Sequence, residues 1–123
     1  MSKYYKIISA TDEQTMTNKL EEFGLLENVD NGKKEILSKE FTKLGKYLIN
    51  YDNYATGVEM VAFAVLRKVI ENATLSDDYS PMALCDFIEE EMKTMSNQRC
   101  EGYVGDIEGD VALLATEKFS KKN

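Results

Sequence analysis

Histidine is absent from this chain, and its absence removes more chemistry than most residues present could add. Serine–histidine–aspartate and cysteine–histidine nucleophile arrangements are impossible without it. So is every zinc site that uses imidazole, and two cysteines, Cys85 and Cys100, are too few for an all-thiolate site. Two cysteines also make no disulfide framework, so the expected setting is reducing and cytoplasmic, with both thiols buried or half-buried. A Cys85–Cys100 bridge is left open by the sequence. Tryptophan is absent as well, and only Arg67 and Arg99 supply guanidinium groups. No basic stripe exists, so direct binding of DNA or RNA through a positive face is not expected.

Long apolar runs are missing too. The best stretch, Val58 to Leu66, contains Glu59 and ends at Arg67, short of the roughly 18–20 apolar residues that span a bilayer. The start, Met1-Ser2-Lys3-Tyr4-Tyr5, lacks the apolar region and small-residue cleavage site of a secretory signal. No membrane association is expected. Phosphate-binding glycine loops are absent: Gly102, Gly105 and Gly109 have the wrong spacing and lie among acids that repel phosphate.

What the chain does have is negative charge in one place. Between Glu71 and Glu117 it carries twelve acidic residues against Lys93 and Arg99, a net of −10, whereas residues 1–70 hold ten acids and ten bases. Lys118, Lys121 and Lys122 bring the total to −7. A field of one sign in one part of a small protein favours a basic protein surface or a cation as partner.

At 123 residues and 43% apolar content, one globular domain over 1–123 is expected, with a core large enough to need no staples. Tyr4 to Ser9 reads as a strand. Thr11 or Asp12 caps a helix carrying Met16, Leu20 and Phe23 at helical spacing, with Gly24 as its stop. Leu25 to Val29 and Lys33 to Leu37 read as a weak hairpin about Asn31-Gly32, since Asn-Gly tolerates positive φ at both positions. Ser38 is expected to cap a second helix through about Tyr51, with Phe41, Leu44, Leu48 and Tyr51 lining one face.

Thr56-Gly57-Val58-Glu59 fits a capping box opening a third helix, 57–72, apolar over most of its circumference and therefore central. Ser80-Pro81 opens a fourth, with serine as cap and proline at the first helical position, running to about Thr94 or Met95, with Asn97 and Gln98 as its breakers. Arg99 to Val104 and Asp110 to Phe119 read as two strands joined by Gly105 to Gly109. The expected fold is α+β: a small, mainly antiparallel sheet packed against about four helices.

Three features could carry function. On the fourth helix, Asp86, Glu89 and Glu90 lie opposite the stripe Leu84, Ile88, Met92 and Met95, with Glu89 placed to pair with Lys93. Glu91 falls inside the stripe, where a half-buried carboxyl would serve structure by pairing with Arg67, Lys68 or a backbone donor, or chemistry as an acid or base. Asp106, Glu108 and Asp110 resemble the start of an EF-hand calcium loop, with Glu117 at the twelfth position. Val111 stands where that loop requires glycine, so a hairpin turn with exposed acids is the expected form. The loop Asp77-Asp78-Tyr79 combines acids with an aromatic suited to a protein interface.

Together these predict a non-catalytic, acidic inhibitor without cofactor or metal. Its partner-binding residues are Asp77, Asp78, Tyr79, Asp86, Glu89, Glu90, Asp106, Glu108 and Asp110. They dock on a basic, nucleic-acid-handling protein, because dense carboxylates compete with phosphate for lysine and arginine and speed encounter. In size and charge the chain is similar to toxin-immunity proteins and to phage anti-defence proteins of the anti-CRISPR kind, with no motif of either. The alternatives are a homo-oligomeric assembly protein and a metal-dependent enzyme using Glu91, Asp106 and Asp110.

Overall fold

A computed structural model describes residues 7, 10, 12–50, 54, 57–98 and 107–121, with backbone alone at 60, 95–98, 107 and 108. Among the described residues the chain is all-helical. Its five named helices are α1 (Glu13–Glu22), α2 (Asn31–Ile49), α3 (Val58–Asn72), α4 (Pro81–Gln98) and α5 (Ile107–Phe119). They fall into two compact units, Met1–Asn53 and Tyr54–Asn123.

In the first unit α1 packs on α2. Asp12 is the N-cap of α1: one carboxylate oxygen accepts from the Thr15 backbone N–H at 2.8 Å and the other from the Thr15 hydroxyl at 2.9 Å. These bonds favour the ionised carboxylate and hold its pKa below the ordinary 3.8. Met16 and Leu20 are buried. Gly24 lies beyond the end of α1 at φ +71°, the left-handed region that glycine enters without Cβ strain. Leu25, Leu26 and Val29 turn back into the core.

The hairpin about Asn31-Gly32 does not form. These two residues begin α2, and neither has a positive φ. The apolar positions Leu37, Phe41, Leu44 and Leu48 repeat at helical spacing and are all buried. Extending that helix backward gives each added residue a backbone hydrogen bond, whereas the strands were weakened by Glu27, Asn28, Lys33 and Lys34, which are poor strand formers. Ser38 accordingly lies inside the helix, buried, with its carbonyl accepting from Thr42 Oγ1 at 2.7 Å, and does not cap it.

In the second unit α3, α4 and α5 pack against one another. As its sequence requires, α3 buries most of its circumference: Val58, Ala62, Phe63, Ala64, Val65, Leu66, Val69 and Ile70. Its wet strip holds the Arg67–Glu71 ion pair at 3.0 Å. The capping box is replaced by Gly57 as N-cap, at φ +96° with no side-chain bond; Thr56 lies outside the described residues. The start of α4 is as expected, with Ser80 Oγ accepting from Ala83 N–H at 3.1 Å. The helix runs on through Asn97 to Gln98.

The expected sheet is the main correction. The segment 110–119, read as a strand, belongs to α5 and buries Val111, Ala112, Ala115 and Phe119. Those positions lie on one side of a helix, and alanine and leucine are strong helix formers. Leu113 and Leu114 face outward, 74% and 40% exposed. The strands at Tyr4 to Ser9 and Arg99 to Val104 fall outside the described residues, apart from Ile7, which is helical and buried. The one strand-like feature described is an isolated antiparallel bridge, Leu75 to Ser120. In it Ser76 N–H donates to the Phe119 carbonyl and Lys121 N–H to the Thr74 carbonyl, each at 2.7 Å.

Candidate functional site

The Ser80 cap and Pro81 fix where α4 begins, and that start sets the direction of every later side chain on it. Leu84, Cys85 and Ile88 point into the core. Opposite them lie Asp86 and Glu90, exposed, and Glu89, half-buried, which pairs with Lys93 at 3.6 Å. Asp86 accepts a hydrogen bond from the Tyr54 hydroxyl at 2.9 Å, so the residue where the second unit starts is fastened to the acidic face.

Asp77 and Asp78 are exposed in the turn that leads into α4. Tyr79 is half-buried; its N–H donates to the Ser76 carbonyl at 3.2 Å, and its ring meets Phe119 edge-on. The fold therefore places five expected carboxylates, those of Asp77, Asp78, Asp86, Glu89 and Glu90, on one helix and the turn that feeds it.

Of the remaining three, Asp110 lies on a different helix. Asp110 is half-buried on α5, Glu108 lies in the helical backbone of α5, and Asp106 is outside the described residues. A calcium loop needs non-helical backbone through these positions, and residues 107–110 are helical. Among the described residues no three His, Cys, Asp or Glu side chains converge to hold a metal.

Cys85 is a free thiol, fully buried. Burial first, then the negative charges of Asp86 and Glu59, push its pKa up to about 12. A thiol in that state is not a nucleophile at neutral pH. Cys100 is outside the described residues. Glu91 is half-buried, and Arg67, one of its expected partners, pairs with Glu71.

One group of residues escaped the sequence reading. Phe119 is buried between Tyr79 and Phe87, both edge-on with ring centroids 5.8 Å away. The Lys118 ammonium stands 5.7 Å from the Phe87 centroid and 5.8 Å from that of Phe119. Reading 110–119 as a helix would have put Ala115 and Phe119 on one buried face, though not against Tyr79 and Phe87. The first unit has an open groove of about 440 Å³ between α1 and α2, lined by Glu13, Glu21, Lys34 and Glu35 among others.

Among the described residues no helix is long and apolar enough to cross a membrane. The chain matches no protein-family model, no curated protein and no solved structure.

Proposed function

We propose that this protein is an acidic docking module that covers a basic surface of a nucleic-acid-handling protein and blocks it without catalysis, in the manner of a toxin-immunity or phage anti-defence protein. The supporting observation is the outward face of α4: Asp86, Glu89 and Glu90 along one helix, with Asp77 and Asp78 exposed in the turn before it and Lys93 the one base on that face. A rigid row of carboxylates presents charge at a spacing that lysine and arginine side chains can follow. It also attracts a basic surface from beyond contact distance. Asp106, Glu108 and Asp110 are not needed for this reading.

The test is capture from host lysate with the tagged protein at low salt and at about 0.5 M salt, where charge is screened beyond a few Å. The expected result is a basic nucleic-acid-binding protein, retained at low salt and released at high salt. The variant D86N/E89Q/E90Q should not retain it, and adding the parent protein should displace its nucleic acid. Binding that ignored both salt and the triple substitution would overturn the proposal.

A second reading, self-assembly, is favoured by Leu113 and Leu114 on the outer side of α5. Light scattering of the purified protein decides it: a concentration-independent oligomer that L113K/L114K dissolves would support assembly, and a monomer would remove it.

A further inference from the structure

We infer that the face of Phe87 is a seat for an arginine of the protein partner, held in the unbound protein by the chain's own Lys118. This rests on the reading of the protein as an acidic docking module, and it names the position within that surface where one side chain of the partner is gripped.

Lys118 is exposed near the end of α5. Its ammonium lies over Phe87 and Phe119, at 5.7 and 5.8 Å from the ring centroids. It makes no ion pair among the described residues. A cation is thus already held at this place by aromatic faces. Phe119 is buried and Phe87 half-buried, so Phe87 is the ring a partner can reach.

Glu90 and Glu91 stand three and four residues after Phe87 on α4 and are therefore its neighbours on the helix surface. Neither has an ion-pair partner among the described residues. A flat guanidinium can stack on a ring and direct its N–H groups at carboxylates along its edge at the same time. An ammonium is a point charge and does only part of this. The site therefore complements arginine in both shape and charge, and Lys118 fills only the aromatic half of it. The arrangement also gives the half-buried Glu91 a use that a purely solvated face would not require.

The experiment measures binding of acetylated hexa-arginine and hexa-lysine peptides to the full chain, at about 0.15 M salt, where the Debye length is about 8 Å and distant charges contribute little. F87L keeps an apolar side chain and removes the ring. It should weaken hexa-arginine binding about two- to fivefold and hexa-lysine binding less. E90Q/E91Q leaves the packing of Phe87 intact and should also weaken hexa-arginine more than hexa-lysine. K118Q should tighten hexa-arginine binding about twofold in the parent and leave it unchanged in F87L, because the competitor matters only where the ring exists. Equal effects of K118Q in both backgrounds, or no loss in F87L and E90Q/E91Q, would overturn the arginine seat. If D86N/E89Q/E90Q still weakens peptide binding in that case, the docking module stands without it. If that variant is also neutral, both fall.

Discussion

Tyr79 meets Phe119 edge-on, ring centroids 5.8 Å apart and planes at 90°. Tyr79 belongs to the acidic turn before α4 and Phe119 is the last residue of α5, so this contact ties the turn to the end of the chain's last helix. Two backbone hydrogen bonds across the Leu75–Ser120 bridge reinforce it. These contacts anchor the turn that carries Asp77 and Asp78 on both sides.

Removing the Phe119 ring should be among the costliest single changes in the second unit. The side chain is fully buried and touches aromatics on both sides. F119A is expected to lose about 3–5 kcal/mol, read as a lowered urea midpoint. F119L, which refills most of the space, should lose much less. Equal effects of the two would mean that the ring contacts add nothing to burial.

Glycine substitutions distinguish the helix from the hairpin at 31–37. Gly32 is helical, and a Cβ there meets nothing within 4 Å. G32A should therefore stabilise by about 0.5–1 kcal/mol. In an Asn-Gly turn the same change would destabilise, because that turn needs positive φ. Gly57, at φ +96°, gives the opposite sign: G57A should cost about 1–2 kcal/mol. Chemical denaturation of the two variants beside the parent reads both.

Asp12 should make α1 sensitive to acid. Its native pKa lies below 3.8 because the Thr15 N–H and hydroxyl bind the ionised form. The native state then binds fewer protons than the unfolded chain over that window. The Asp12 contribution is complete above the unfolded value and is lost as pH falls through the native one. D12A should lower stability at neutral pH, and the difference from the parent should shrink below about pH 4. D12N, which can still accept from Thr15, should fall between them.

The Cys85 thiol should be protected in the folded protein and reactive once it unfolds. Alkylation with iodoacetamide at pH 8, followed by peptide mapping, should leave Cys85 unmodified without urea and modify it fully in urea. Its pKa rises from an ordinary 9.0 to about 12 in the native state. The native state holds its proton longer than the unfolded chain does. Stability from this group is complete below pH 9 and declines as pH rises toward 12. C85A should flatten that decline.

Local signals were strong enough to read α1, α3 and the start of α4. Asp12 before an apolar period, the nearly continuous apolar surface of 58–70, and Ser80-Pro81 each specify a helix through bonds or burial within a few residues. The exclusion of histidine chemistry and the concentration of acids in the second half also follow from the residues alone. So does the Glu89–Lys93 pair, which needs only the helical repeat.

The segments 31–37 and 107–119 depended on what they pack against. Asn31-Gly32 and the run Val111 to Ala115 suit a turn or a strand locally, and a short apolar run does not reveal its own period. Burial of Leu37 on one and of Val111, Ala115 and Phe119 on the other, with a helical hydrogen bond for each residue, outweighs the local preference. Tyr54 on Asp86, Tyr79 and Phe87 on Phe119, and Lys118 over Phe87 join residues far apart in the chain. No spacing rule relates such pairs, because their contact is set by how α3, α4 and α5 stack. The acidity of the surface and its placement along α4 and the turn before it were therefore decided by sequence, because the helical repeat and the Ser80-Pro81 start suffice for them, whereas its position beside an aromatic cluster that already holds a cation was decided by tertiary packing.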